Sequence, residues 1–297
     1  MLFSFETYTT FGLLTVALAS LGLPAPNRFA WFANNVWIVF LVFAIIAGML
    51  SNFLEPVALL WIILLGVASW TLYQENVRYA YKSISFITVF LLSIALLTHQ
   101  LPGFANPKII MDLQLSEDAL PYDKYLNFDS ALIGLFILGF GHKRLTSVSE
   151  GMLMIIRLMP VLLITLLVVM LMSLVLGYVH WQPKWTSIFF TWAWGNLFFT
   201  CFIEEAFFRG FIQKFLMQGL STILKGYLIA IFIAAVLFGL AHFIGGPKYI
   251  VLATVAGIGY GYAYHYTQRI EASILTHFTL NSLHFLLFTY PALSASF

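Results

Sequence analysis

Long apolar runs recur from one end of the chain to the other, and this pattern constrains the fold more than any other feature. Many of the runs approach or exceed about 18 residues, and an α-helix needs about 20 to cross a bilayer. Charged residues make up only 9% of the chain, against about 25% in soluble domains. The sequence therefore predicts an all-α fold, a polytopic transmembrane helix bundle in the lipid bilayer.

About ten apolar segments are candidate spans. They cover roughly residues 10–24, 29–50, 54–73, 84–100, 129–141, 152–178, 188–208, 227–244, 249–266 and 272–290. Segment 129–141 is shorter than a full crossing requires, so we expect eight to ten spans. The segment from Thr9 to Leu23 resembles a secretory signal, but Glu6 is the only charge before it. We interpret it as a retained first span.

Polar groups inside the apolar segments are concentrated in the second half of the chain. A charged side chain at the centre of a membrane helix costs roughly 2.5 to 3.5 kcal/mol on insertion scales, so its presence indicates function. We predict two parts: N-terminal helices of unknown role over residues 1–150, and a functional transmembrane domain over residues 151–297.

The first polar cluster contains Glu204, Glu205 and Arg209 in an aromatic-rich stretch. Glu205 and Arg209 are four residues apart, a spacing that allows an ion pair on one helix face. Glu204 is then about 100° around the helix and available for other work. A purely structural ion pair is an equally good interpretation for Glu205 and Arg209.

Two further clusters follow along the chain. Phe238 and His242 lie at the end of an apolar helix, just before two glycines and a proline. His277 and Asn281 are four residues apart and share a helix face. Each cluster has a plain interpretation, as a capping histidine or as interhelical hydrogen bonding, but together they bring imidazole and amide groups into one domain.

In this order, the clusters resemble the motifs of the CPBP or ABI family of CAAX proteases and bacteriocin-processing intramembrane proteases, which includes Ras-converting CAAX prenyl endopeptidases. The family motifs E-E-x-x-x-R, F-x-x-x-H and H-x-x-x-N are all present without substitution. The glycine-rich segment with Gly257, Gly259 and Gly261 and the lead-in 271–275 are also similar. The resemblance covers roughly residues 185–290.

The resemblance implies an intramembrane endopeptidase of the glutamic type. Glu204, supported by His242, would activate a water, and His277 with Asn281 would donate hydrogen bonds to the tetrahedral oxyanion. Glu205 and Arg209 would be the orienting pair. The catalytic residues implied are Glu204, Glu205, Arg209, His242, His277 and Asn281.

Other mechanisms and functions stay open from the sequence. His242, His277 and a glutamate would suit a zinc metalloprotease, although the H-E-x-x-H spacing is missing, so we expect no cofactor while zinc stays an alternative. A proton- or ion-coupled transporter would also use buried glutamates and histidines. It predicts paired half-repeats, and residues 1–150 contain no counterpart of the three motifs.

The remaining polar residues have plainer interpretations. His284 lies seven residues after His277 on the same helix face and is a candidate to join the site, although a structural role is favoured. The lone Cys201 excludes an intramolecular disulfide and is interpreted as a core residue. We assign the other histidines to loops and interfaces: His99, His142, His180 and His265.

The expected partner is a membrane-associated or lipidated protein or peptide substrate, and no nucleic acid is expected. We expect the protein in the bacterial inner (cytoplasmic) membrane.

One geometric problem follows from the predicted spans. If segments 188–208 and 227–244 cross the membrane as simple antiparallel helices, Glu204 and His242 lie roughly 20 Å apart. Either the first helix continues through residues 207–220, or residues 209–226 re-enter the membrane.

Overall fold

The structure, a computed structural model, describes residues 4–22 and 30–296 and is 72% helical. The α-helices are α1 (Phe5–Gly22), α2 (Ala30–Leu50), α3 (Ala58–Tyr73), α4 (Tyr79–Leu97), α5 (Phe128–Gly141), α6 (Val148–Val175), α7 (Phe189–Asn196), α8 (Phe202–Glu205), α9 (Lys214–Gly219), α10 (Gly226–Ala241), α11 (Gly246–Thr267) and α12 (Ile270–Leu287). Two π-helical stretches, Leu197–Cys201 and Ala206–Gln213, flank α8, and 3-10 turns lie at Phe243–Gly245 and Ser294–Ser296.

The all-α prediction is confirmed. Every predicted apolar segment coincides with a helix to within several residues, except that residues 23, 24 and 29 lie outside the described part of the chain. Among the described residues, three helices are long and apolar enough to cross a membrane: Tyr79–Leu97, Val148–Val175 and Phe243–Thr267. Shorter apolar helices are Asn35–Leu50, Ala58–Tyr73, Phe128–Gly141 and Gly226–Ala241.

The outward side chains of α6 show what surrounds the helices. They include the exposed apolar residues Leu163, Ile164, Leu167 and Leu171. Soluble proteins rarely expose large continuous apolar surfaces, whereas a helix in lipid does so at no cost because its backbone is satisfied internally. The protein is an integral membrane protein.

The described residues form two compact units. The first lies within residues 4–109, 125–148 and 198–207, and the second comprises residues 110–124, 149–197 and 208–296. The predicted boundary after residue 150 falls beside the division at 148/149. Two short segments depart from it: residues 110–124 belong to the second unit, and residues 198–207 belong to the first. As a functional boundary it stays a prediction.

Helix α5 is the centre of the first unit. Every residue from Phe128 to Leu138 is buried, which fits the apolar character of all but two residues of the helix, Asp129 and Ser130. Phe136 and Phe140 pack edge-on against Trp37 of α2, with ring centroids 5.9 and 5.2 Å from it. The short predicted segment 129–141 is therefore a core helix of this unit.

Glycines set the spacing of α10 and α11 in the second unit. A Cβ on Gly257 would lie 3.1 Å from the Ala235 Cα, and one on Gly261 would lie 3.1 Å from Ile231. On another side of α11, a Cβ on Gly259 would meet Thr165 of α6 at 2.3 Å. The small-residue pattern predicted to permit close helix packing therefore does so on two sides of α11.

Backbone hydrogen bonds close one end of the second unit. Leu120 N–H donates to the Ala292 carbonyl at 3.0 Å, and Leu293 N–H donates to the Tyr178 carbonyl at 3.1 Å. These bonds join three segments that lie outside the helices, around residues 120, 178 and 292. Between α4 and α5, the strands β1 (Lys108–Leu113) and β2 (Tyr122–Tyr125) also pair, a feature that the sequence analysis did not predict.

Candidate active site

The two glutamates lie in the first unit, within a run of helical segments that extends from residue 189 to 219. The chain therefore stays helical over residues 207–219, as the first of the two alternatives expects, and the approach of Glu204 to His242 stays a prediction. Glu205 is completely buried and Glu204 is partly buried. Both belong to the four-residue helix α8, which has a π-helical stretch on each side. π-helical turns are rare and occur frequently at functional sites.

The chain that follows Glu205 and contains Arg209 is π-helical, with hydrogen bonds that run from residue i to i+5. Arg209 belongs to the second unit, whereas Glu205 belongs to the first. The ion pair expected between Glu205 and Arg209 stays a prediction.

Arg209 is fully buried and organises aromatic rings in the second unit. Its Nη2 donates a hydrogen bond to the Gly257 carbonyl at 2.9 Å. Its guanidinium carbon lies 4.5 Å from the Phe238 ring centroid and 5.3 Å from that of Tyr260. A buried cation against aromatic faces is stabilised by the ring quadrupoles. Arg209 therefore holds in place the two rings that contact the predicted histidines.

His242 follows directly after α10 and is oriented by its own helix. Its Nδ1 donates to the Phe238 carbonyl at 2.7 Å, and the two rings lie 4.6 Å apart. The four-residue spacing of F-x-x-x-H is what allows this bond, because the last carbonyls of a helix lack intrahelical donors. Protonation at Nδ1 leaves Nε2 as the basic nitrogen of the neutral ring.

His277 is held by aromatic contacts from two helices. Its ring stacks on Tyr260 with centroids 4.5 Å apart and an interplanar angle of 16°. It also lies edge-on to Phe238 at 5.7 Å. Phe238 thus contacts both predicted site histidines.

A cavity of about 60 Å³ lies within the second unit, and three residues predicted from the motifs are among its polar lining groups. It is large enough to hold water. Its polar lining includes His242, His277, Asn281 and His284; the apolar lining includes Val169, Met170, Leu252, Ala253 and Ala256. Three of the six predicted catalytic residues therefore share one cavity, and His284 joins them.

Hydrogen bonds orient two further polar residues of the cavity lining on α12, Asn281 and His284. Asn281 Nδ2 donates to Asn196 Oδ1 at 3.3 Å, and His284 Nε2 donates to the Thr289 carbonyl at 3.2 Å. Asn196 and Tyr260 were missed from the sequence. The available signals were a buried amide in the aromatic stretch 189–199 and a tyrosine between the glycines of α11.

The zinc alternative stays a prediction. Within residues 4–22 and 30–296, no three histidine, cysteine, aspartate or glutamate side chains form a group suited to hold a metal ion. We derive no catalytic step through a metal.

Comparison with known families agrees with the motifs. Residues 184–283 match the family model described as type II CAAX prenyl endopeptidase Rce1-like. The match covers about a third of the chain and contains all six predicted catalytic residues. It confirms the predicted resemblance to the CAAX protease family and supports an intramembrane protease. Searches of curated proteins and of solved structures found no significant match.

Proposed function

We propose that the protein is an intramembrane endopeptidase that hydrolyses a peptide bond of a membrane-associated or lipidated protein or peptide. The observation that carries this proposal is the shared cavity of His242, His277 and Asn281 in an apolar environment. The order of the motifs and the family match support the same reaction. The bacterial inner membrane is the proposed location.

The nucleophile is a water molecule. The Glu204 carboxylate, supported by His242, accepts a proton as the water oxygen attacks the carbonyl carbon. The same proton then passes to the amide nitrogen as the carbon–nitrogen bond breaks, leaving a carboxylate and an amine. The role of Glu204 rests on its place in the motif, and Glu205 with Arg209 is the orienting pair.

The second task is to stabilise the negative oxygen of the tetrahedral intermediate. His277 and Asn281 supply donors with restricted orientation, one stacked on Tyr260 and one bonded to Asn196. Fixed donors stabilise developing charge because they need no reorganisation during the reaction. An asparagine amide carries two N–H groups, so Asn281 has a donor for each of two acceptors.

The test is cleavage of a panel of membrane-anchored reporter peptides, with and without a prenylated cysteine, by purified protein in nanodiscs. We expect cleavage by the wild type, a kcat lowered by about 10² to 10³ in Asn281→Ala, and retention in Thr276→Val. Thr276 is a suitable control because its buried hydroxyl donates only within α12, to the Ala272 carbonyl at 2.7 Å.

A second arm tests the zinc alternative. We expect a chelator to leave cleavage unchanged, whereas loss with chelator and recovery with zinc would show a metalloprotease. Failure of folded wild-type protein to cleave any reporter, together with a Glu204-dependent proton flux in proteoliposomes, would favour the transporter instead.

A further inference from the structure

We infer that Asn196, which lies outside the three motifs, is a positioning residue that sets the orientation of the Asn281 amide. This inference rests on the proposed function, because it assigns Asn196 a role in stabilising the oxyanion. The two side chains come from different helices, α7 and α12, and both belong to the second unit.

The first argument is chemical. Asn196 Oδ1 accepts a hydrogen bond from Asn281 Nδ2 at 3.3 Å. An amide side chain can rotate by 180° to exchange its oxygen and nitrogen, so an unfixed asparagine presents either a donor or an acceptor to a cavity. With its Oδ1 facing Asn281, Asn196 selects the orientation in which the Asn281 nitrogen, and not its oxygen, faces Asn196. A donor is what an oxyanion requires.

The second argument is burial. Asn196 is buried at the end of an otherwise aromatic and apolar helix. An amide in such surroundings is costly unless it is hydrogen-bonded. An apolar residue at this position would pack without that cost. The hydrogen bond to Asn281 offsets the cost of burying the asparagine amide.

The third argument is the packing of α7 against α12, which fixes the distance between the two amides. Trp192 lies one helical turn before Asn196, and its ring centroid is 4.5 Å from that of Phe285. Its indole nitrogen donates to the Tyr290 hydroxyl at 2.9 Å. On the other side of Asn281, Phe278 stacks on the same tryptophan at 6.4 Å. The tryptophan thus contacts α12 before and after Asn281. These two contacts place Asn196 level with the Asn281 amide along α12.

The experiment is a double-mutant cycle on the reporter peptide that the wild-type protein cleaves fastest. We expect Asn196→Ala to lower kcat about tenfold with little change in KM, because a misoriented donor affects the transition state more than binding. Asn196→Asp keeps an acceptor oxygen and should retain most of the activity. In the Asn281→Ala background, Asn196→Ala should have no further effect, since coupled residues are not additive.

Thr276→Val is the matched control, as it removes a buried hydroxyl from the same helix as Asn281. The inference is overturned if Asn196→Ala cleaves at the wild-type rate, or if its effect persists unchanged in the Asn281→Ala background. The same cycle on the melting temperature needs no substrate. If the two single-variant shifts in melting temperature add up to more than the shift of the double variant, the hydrogen bond is supported. If their sum equals the shift of the double variant, the hydrogen bond is contradicted. A wild-type protein that cleaves nothing contradicts the proposed function, and the melting cycle still decides the pairing of the amides.

Discussion

Tyr260 of α11 and His277 of α12 form a ring stack, with centroids 4.5 Å apart and planes inclined by 16°. The Arg209 guanidinium lies 5.3 Å from the same tyrosine ring. A stacked imidazole cannot rotate about its Cβ–Cγ bond without losing this contact. The stack therefore restricts the direction in which His277 donates a hydrogen bond.

Replacing the tyrosine tests this restriction. We expect Tyr260→Leu to lower kcat for reporter cleavage about tenfold, because a catalytic donor loses efficiency when its orientation is no longer fixed. Tyr260→Phe keeps the ring and should retain more activity. Steady-state kinetics on both variants would measure the difference, and equal rates for leucine and wild type, with unchanged melting, would contradict a role for the stack.

Removing the proposed base should be more severe. Glu204→Gln keeps the size of the side chain but cannot accept the proton of the water, so we expect kcat to fall by about 10² to 10⁴. Glu55→Gln, at an exposed glutamate, is the control and should be neutral. If Glu204→Gln stays active while Glu205→Gln is inactive, the assigned roles of the two glutamates are exchanged.

Gly239 is a packing test beside the site. A Cβ at this position would lie 2.0 Å from Thr254 Oγ1 and 2.7 Å from the Ile250 carbonyl oxygen. Gly239→Ala must separate α10 from α11, and overpacking of this kind costs about 1 to 3 kcal/mol. We expect a lower melting temperature in detergent. Gly12→Ala, where the new Cβ meets nothing within 4 Å, should not lower it. Equal melting temperatures for the two variants would show that α10 and α11 accommodate the added methyl group without loss of stability.

His99 and Asp129 should make stability depend on pH. His99 Nδ1 lies 2.6 Å from Oδ2 of the buried Asp129, and this hydrogen bond raises the pKa of His99 above its ordinary value of 6.5. A raised pKa stabilises the folded state fully below the unfolded pKa, and the contribution is lost as pH rises through the folded pKa. We therefore expect the melting temperature to fall as pH rises from 6.5 through the raised pKa of His99. This fall should be smaller in His99→Gln. An identical pH profile for the variant would contradict the pairing.

The sequence predicted the helices well because the signal is local. An apolar run of membrane-spanning length specifies a helix without reference to the rest of the chain, as α6 and α11 show. The β1–β2 pairing and the loop contacts of Leu120 and Leu293 were not predicted. They join residues distant in sequence, and hydrogen bonds between such segments leave no periodic pattern.

The site divides in the same way. The sequence by itself determined which residue types can do chemistry in an apolar chain, since Glu204, His242, His277 and Asn281 are costly there without a purpose. Only the tertiary structure decided which neighbours orient them: Tyr260 beside His277, and Asn196 beside Asn281. An amide or a tyrosine carries no charge and is tolerated at many positions, so its role depends on which side chain the packing of helices brings against it.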